Sequence, residues 1–443
     1  MAGGVQMMKL WILLVSVLLV SGNAVQESAP PELSAGPMVG VVERDGVRIW
    51  CRASSADQVV EAILLDAEGA EVARVSRKAM ADRDLTVDLP LKATLRAGHR
   101  YRYRVLIDST VVADDADQIV VGPPPVDGRV TLVFGSCANP NRYAEGQIWK
   151  SIGQQQPNAL VLLGDTPYID TTDLSKQRSA YRSFWQDPGL AAVIRGTPVL
   201  ATWDDHDYGR NDTVGKLAGR ENSRRAFGEY HALGSLGDGE SEGIYSRHSI
   251  GPVDLFILDT RWFGKTEPSA FAADKPTLLG SKQWAWLKKG LEASRAPFKI
   301  ISCGMIFNGA TRPGKTDHWG HYPHERQALI DFIRETPIPG VMIVTGDIHR
   351  CRHLSYPVSE GAGYPLDEWI TSPLANTVIS TANAPHPALV FDGGEKSVYL
   401  LVEVDANGPE PWMKVDLVRS SGETIHSKSY QAADLVASRE AGQ

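Results

Sequence analysis

Ala159-Leu160-Val161-Leu162-Leu163-Gly164-Asp165-Thr166-Pro167-Tyr168 decides how this chain is read. Five apolar residues without polar alternation suit a strand buried on both faces, as in a sheet covered by helices. The strand then stops at a glycine, and an aspartate follows at once. A glycine there permits the tight turn that presents the next carboxylate at the strand end. Similar apolar runs lie on either side: Val130 to Phe134, Pro198 to Thr202, Asp254 to Leu258, Phe298 to Cys303, Gly340 to Val344 and Trp369 to Thr371. Helical patterns fall between them at Ile148 to Gln154, Ser281 to Ala293 and Pro323 to Arg334. Two antiparallel strands, Val398 to Val404 and Met413 to Val418, close the chain.

Upstream the rhythm differs. From Pro37 to Val121 short alternations such as Tyr101-Arg102-Tyr103-Arg104-Val105 are separated by Asp-Gly, Glu-Gly and Ala-Gly turns. That pattern predicts an immunoglobulin- or fibronectin-like β-sandwich over residues 30–122. Gly122-Pro123-Pro124-Pro125-Val126-Asp127-Gly128 reads as a stiff, extended linker. A layered α/β domain over residues 129–430 follows it, so the fold class is α/β (α+β) in two parts. At the other end, Lys9 precedes a largely apolar run from Leu10 to Val20, and Ser21-Gly22-Asn23-Ala24 supplies small residues after it. Residues 1–24 therefore read as a secretory signal, too short for a membrane span, which needs roughly 20 apolar residues. The expectation is an exported protein, periplasmic or extracellular, with no transmembrane span after signal cleavage.

A formal net charge of −8 leaves no electrostatic footprint for nucleic acid or an anionic membrane. An anionic substrate would have to be held locally, and bound metal ions are the usual means in an acidic protein. The four cysteines, Cys51, Cys137, Cys303 and Cys351, are too few for a disulfide scaffold.

Residues with metal-ligand chemistry sit at the strand ends. Gly135-Ser136-Cys137 follows the first strand, Gly164-Asp165-Thr166-Pro167-Tyr168 the second, Trp203-Asp204-Asp205-His206-Asp207 the third, and Thr345-Gly346-Asp347-Ile348-His349 a later one. Each alone would pass as a turn, a helix cap or a buried histidine. In an open α/β sheet ligands bind beyond the carboxyl ends of the strands, where all four segments would converge. Carboxylate, imidazole, phenol and thiol have no common structural purpose around one point, whereas a multinuclear metal site uses them all.

The order Phe134-Gly135-Ser136-Cys137, Gly164-Asp165-x-x-Tyr168, Trp203-Asp204-Asp205-His206-Asp207, Asp259-Thr260-Arg261 and Gly346-Asp347-x-His349 resembles the PhoD-like alkaline phosphatase and phosphodiesterase family. Trp369-Ile370-Thr371-Ser372-Pro373-Leu374 is similar to a late signature of that family. The resemblance implies ferric iron (Fe3+) and calcium (Ca2+), with Asp165 bridging, Cys137 and Tyr168 on iron, and Asp205, Asn211, Asp347 and His349 completing the ligand set. It also implies a phosphate-ester substrate, attacked in line by a metal-bound hydroxide. His206 is the candidate for contacting phosphate or protonating the leaving oxygen. Arg261 is the candidate phosphate fork, its bland alternative being an ion pair with Asp259.

The sequence departs from the family pattern at Trp262-Phe263-Gly264 and at Asn158, the latter read as structural. The histidine-rich run Asp317 to Arg326 reads as a helix start with a rim facing the site. Two rival functions stay open: a phosphodiesterase or phospholipase D-type hydrolase on the same scaffold, and a secreted, non-catalytic binding protein. The natural substrate and the oligomeric state are not set by the sequence.

Overall fold

The computed structural model describes residue 1 and residues 31–142, 147–239, 242–312 and 314–437. The segment read as a signal lies outside the described residues apart from Met1. No helix among the described residues is long and apolar enough to cross a membrane.

The N-terminal part is a pair of antiparallel sheets. Leu33–Glu43, Gly46–Ala53 and Thr86–Lys92 make one. Glu71–Lys78, Val59–Leu65, Arg100–Ile107 and Thr110–Ala113, with Ile119–Val121 beside Arg100–Ile107, make the other. Successive side chains of a strand point to opposite faces. Tyr101, Tyr103, Val105 and Ile107 accordingly turn inward against Ile49, Cys51, Leu89 and Leu91. The expected sandwich is present.

Its three-stranded sheet is apolar on the other face as well. Ala35, Met38, Val41 and Trp50 belong to the core of the following part, and Trp50 Nε1 donates to Glu229 O at 2.8 Å. The proline-rich stretch thus separates the sheets along the chain, while one hydrophobic core runs past it. Asn158, read as structural, pairs neighbouring strands: its Oδ1 accepts from Thr131 N at 2.9 Å.

Beyond the linker the strands divide between two mixed sheets, the layers of the expected α/β domain. The six-stranded sheet runs Val199–Thr202, Ala159–Leu163, Arg129–Gly135, Val398–Asp405, Trp412–Arg419, Thr424–Gln431. Its first three strands are parallel and the rest antiparallel. The seven-stranded sheet runs Ser246–Ile250, Val253–Ile257, Phe298–Ser302, Val341–Thr345, Leu366–Ile370, Cys351–Tyr356, Leu389–Gly393. Four of these are parallel, from Val253–Ile257 to Leu366–Ile370. Side chains of both sheets form one continuous core. Three helices are tied by buried polar contacts. Ser151 in Gln147–Gln154 meets Tyr399 of the six-stranded sheet at 3.1 Å, and Trp284 in Gly280–Ala293 donates to Glu325 in Pro323–Glu335 at 2.9 Å.

The strands that hydrophobic patterning missed are polar in sequence. Cys351–Tyr356 contains Arg352 and His353, both fully buried. They are tolerated because each is paired: Arg352 donates to Ala310 O and Ala384 O and lies 3.4 Å from Asp392, and His353 Nε2 donates to Asp367 at 2.9 Å. Asp367 also accepts from Lys428 at 2.5 Å and from Tyr430, both on the last strand of the other sheet. Buried pairs of this kind hold the two sheets in register at one edge.

Burial pushes the Asp367 carboxyl up, but His353 and Lys428 outweigh it and hold it down at about 2. A depressed carboxylate stabilises the fold above its unfolded pKa of about 4, and that contribution is lost as pH falls through the folded value. Asp367→Asn is expected to lower stability at pH 7 by about 3 kcal/mol, since it weakens the shared acceptor of the His353, Tyr430 and Lys428 donors. Urea unfolding midpoints at pH 7 should show that gap, and it should shrink between pH 4 and pH 2.

Candidate metal centre

The carboxyl ends of the parallel strands of both sheets meet, and the meeting is hydrogen-bonded. Thr202 Oγ1 donates to Leu258 O at 3.0 Å and Ser136 Oγ to Thr371 O at 2.9 Å. The approach is close enough to exclude side chains at two glycines. A Cβ on Gly164, whose φ is +87°, would lie 2.3 Å from Asp204 N, and one on Gly346 would lie 2.4 Å from Ser136 Oγ. The glycine before each aspartate therefore serves the packing of loop on loop as much as the turn.

Four groups of ligand-type side chains lie within 4.8 Å of one another at this junction: Cys137 with Asp165 and His349; Asp165 with Asp205 and His206; Asp165 with Asp204 and Asp347; and Asp205 with Asp212 and Asp317. Asp165 belongs to three of them. Tyr168 adjoins the first, with its hydroxyl 2.6 Å from His349 Nε2. Cys137, Asp165, Asp347 and His349 all have positive φ, between 51° and 67°. Left-handed backbone at non-glycine residues costs energy and persists where surrounding structure enforces it, typically at functional sites.

The enforcement can be traced. Asp207 accepts from the backbone N–H groups of Asp165 at 2.6 Å, Thr166 at 2.9 Å and Asp204 at 3.0 Å, locking two strand-end turns together. Ser372, from the late signature, donates to Cys137 Sγ at 3.1 Å and accepts from His349 N at 3.0 Å. His349 Nδ1 donates to Thr377 O at 2.9 Å, which fixes its ring and leaves Nε2 for the centre. His206 Nδ1 donates to the Asp170 carboxylate at 2.6 Å, while Ile169 N and Asp170 N both donate to His206 O.

Burial drives Asp165 well above the usual carboxylate range, and Asp205, Asp204, Asp207 and Asp347 push it further. Burial also raises Asp207 to about 7, against its backbone donors, and Asp347 to about 6, against Lys315. Asp205 goes the other way. Arg261, His206 and Lys315 overcome its burial and hold it at about 2. Asp165 Oδ1, Asp204 Oδ2 and Asp347 Oδ2 are buried without a hydrogen-bond partner. Crowded, repelling carboxylates with unpaired oxygens are a fit for added cations, which restore their charged forms.

Several expectations are sharpened. Arg261 makes no ion pair with Asp259, which instead accepts from the backbone of Arg261, Trp262 and Ile244 and from Trp203 Nε1. The guanidinium is 0% exposed, with Nε 2.5 Å from Asp204, Nη2 3.2 Å from Asp317 and 4.0 Å from Asp205. A phosphate fork needs an open face; this guanidinium is enclosed, its Nε and Nη2 on carboxylates and its Nη1 buried without a partner. Asn211 is exposed, while its neighbour Asp212 joins Asp205 and Asp317. Of the histidine-rich run, Asp317 reaches the centre. His318 bonds Lys315 O, and His324 bonds Pro276 O. Trp262 is core: it stacks on Trp203 and carries Arg220 over its ring at 4.0 Å. Cys51, Cys303 and Cys351 are buried free thiols outside these ligand groups.

Sequence reasoning passed over Asp170, Asp204, Asp207, Asp212 and Lys315 as members of the site. Asp204 and Asp207 flanked a chosen residue, and the acid density of that run was the available signal. Asp317 opens the histidine-rich run read as a rim of the site, while Lys315 lies on a loop without a strand to announce it. A cavity of about 560 Å³ lies elsewhere, lined by Val41, Arg100, Trp149, Asn158 and His248 among others, and contains none of the centre's residues.

Two sheets meeting at strand ends that carry thiol, phenol, imidazole and clustered carboxylates define a metallophosphatase-type protein. The chain belongs to the PhoD-like phosphatase family, whose model matches residues 132–397. It is 25% identical over 271 residues to alkaline phosphatase D of Bacillus subtilis (strain 168), a match covering 50% of this chain and 46% of that protein, so it spans about half the relative's length. Among solved structures it resembles PhoD, with a TM-score of 0.74 at 18% identity over 91% of this chain and 92% of the other. It also resembles the purple acid phosphatase PPD1 of yellow lupin (Lupinus luteus), with a TM-score of 0.67 at 11% identity over 89% and 74%. These two likenesses are of fold.

Asp207 ties three buried N–H groups that have no other acceptor in sight. Asp207→Ala is expected to cost about 3 kcal/mol, since each stranded buried donor costs ~1–3 kcal/mol. Thermal melts of the purified variant, with metal content measured alongside, check this; an unchanged melt would show that the turns hold without it.

Proposed function

We propose that this chain is an exported, metal-dependent phosphoesterase acting on phosphate monoesters, diesters or both. The observation that carries this reading is Asp165, 1% exposed, shared by three ligand groups, with one oxygen unpartnered. Family membership supports hydrolysis of phosphoric esters. Export rests on the N-terminal sequence, from Lys9 through the run Leu10 to Val20.

The donor set suits two kinds of metal. Cys137, Tyr168, His349 and Asp165 would hold ferric iron, for which thiolate and phenolate are strong donors. Asp205, Asn211 and Asp347, the last through its unpartnered Oδ2, would hold calcium through oxygen atoms. When bound, such metals supply positive charge at phosphoryl oxygens and ease deprotonation of a water.

The chain's own residues orient the rest. Asp170 holds the His206 imidazole in one tautomer, beside Asp165 and Asp205, where it can give a proton to the leaving oxygen. Arg261 acts through Asp204, Asp205 and Asp317, as a positioning residue for the carboxylates. Tyr168 and His349 fix each other through their 2.6 Å contact.

Asp165→Asn and Cys137→Ala should each abolish hydrolysis of an aryl phosphate monoester and its matching diester while the protein stays folded, because Asp165→Asn removes a repelled charge. Near-normal turnover in either variant would sink the assignment, and the monoester-to-diester ratio of the wild type ranks the two substrates. Asp170→Asn is expected to lower kcat about tenfold to a hundredfold with metal content unchanged. Metal analysis with a visible spectrum tests the iron. A colourless, iron-free, active enzyme would refute it.

A further inference from the structure

Lys315 lies at the edge of the centre with its side chain 3% exposed. Its Nζ is 2.9 Å from Asp347 Oδ1, 2.8 Å from Asp317 Oδ1 and 3.5 Å from Asp212 Oδ1. These aspartates come from three separate segments: the turn after the helix Asp205–Tyr208, the loop before Trp319–His321, and the end of Val341–Thr345. Carboxylate oxygens from distant segments converging on one point are the arrangement a hard cation takes. Here the point is filled by an ammonium.

A buried lysine head is costly unless it is paired on every side. The ammonium donates to Asp347 and Asp212 and lies in ion-pair contact with Asp317, so three carboxylates answer its single charge. The loop is braced to keep it there, since His318 Nε2 donates to Lys315 O at 2.9 Å and Lys315 N donates to Arg312 O. The nitrogen-to-oxygen distances of 2.8–3.5 Å exceed the ~2.3–2.6 Å of calcium–oxygen bonds, as a corner sized for an ammonium requires. Asp205, grouped on one side with Asp212 and Asp317 and on the other with Asp165 and His206, links this corner to the Asp165 groups.

We propose that Lys315 is a built-in cation that occupies the carboxylate corner of Asp212, Asp317 and Asp347 in place of a divalent ion. The centre of this chain accordingly takes one hard cation fewer than its carboxylates could hold, and it gains one when the lysine is removed. The proposal rests on the metal-centre reading above for the neighbouring sites, but not for the corner itself.

The test is calcium and iron content per chain in wild type and Lys315→Met, by elemental analysis after equilibration with calcium, with melting temperature measured against calcium concentration. Lys315→Met should bind one more calcium per chain than wild type, with iron unchanged, and its melting temperature should rise with calcium where that of the wild type does not. Equal calcium content and equal calcium response in the two proteins would overturn the proposal. Should Lys315→Met fail to fold without calcium, rescue by calcium supports the idea, and failure in both conditions hands the decision to the wild type. Wild-type crystals soaked in terbium should show no ion between Asp212, Asp317 and Asp347, and an ion there with Lys315 displaced refutes the substitution. Loss of the wider metal-centre reading would appear separately, as absence of iron in the wild type.

Discussion

Seven aspartates, Asp165, Asp204, Asp205, Asp207, Asp212, Asp317 and Asp347, are brought together where the two sheets meet. Their mutual repulsion is the constraint on which the rest of the structure turns. Like charges in a low-dielectric junction raise one another's pKa, and the junction is stable only if each charge is answered. The answers come in three forms. Asp207 is met by backbone N–H groups, Asp204 and Asp317 by Arg261, and Asp347 and Asp317 by Lys315. Asp165 is met by none of these, and its exceptional position at the centre of the groups follows from that.

The backbone around this charge is held by residues that never carry ligand chemistry. Ser372 braces Cys137 and His349 at once, Thr371 joins the end of the other sheet, and Thr377 orients the His349 ring. A late stretch of chain thereby fixes residues some 235 positions earlier. Left-handed Cys137 and His349 hold their conformation because these contacts leave them no alternative.

The sandwich contributes to the same rigidity from a distance. Trp50 and Met38 fill the core behind the helix Arg220–Tyr230 and the strand Val199–Thr202, which leads into the Asp204 turn. Removing that sheet would expose the apolar face of the layer that carries the centre.

Much of this was legible in residue order. Unbroken apolar runs marked the parallel strands, because a strand buried on both faces needs no polar alternation. Cys137, Asp165, Tyr168, Asp205, Asp347 and His349 stood out because each follows such a run directly. Residues whose role depends on loops folding back were not legible: Asp170 reaches His206 across 36 positions, Lys315 reaches Asp347 across 32, and Arg261 turned from a supposed phosphate fork into a buried brace. Polar strands such as Cys351–Tyr356 were hidden for a related reason, since their burial is permitted only by partners far along the chain. Sequence by itself determined where ligands can stand, because strand ends are local events. Only the tertiary structure decided which charges face one another, because electrostatic pairing depends on distance through space.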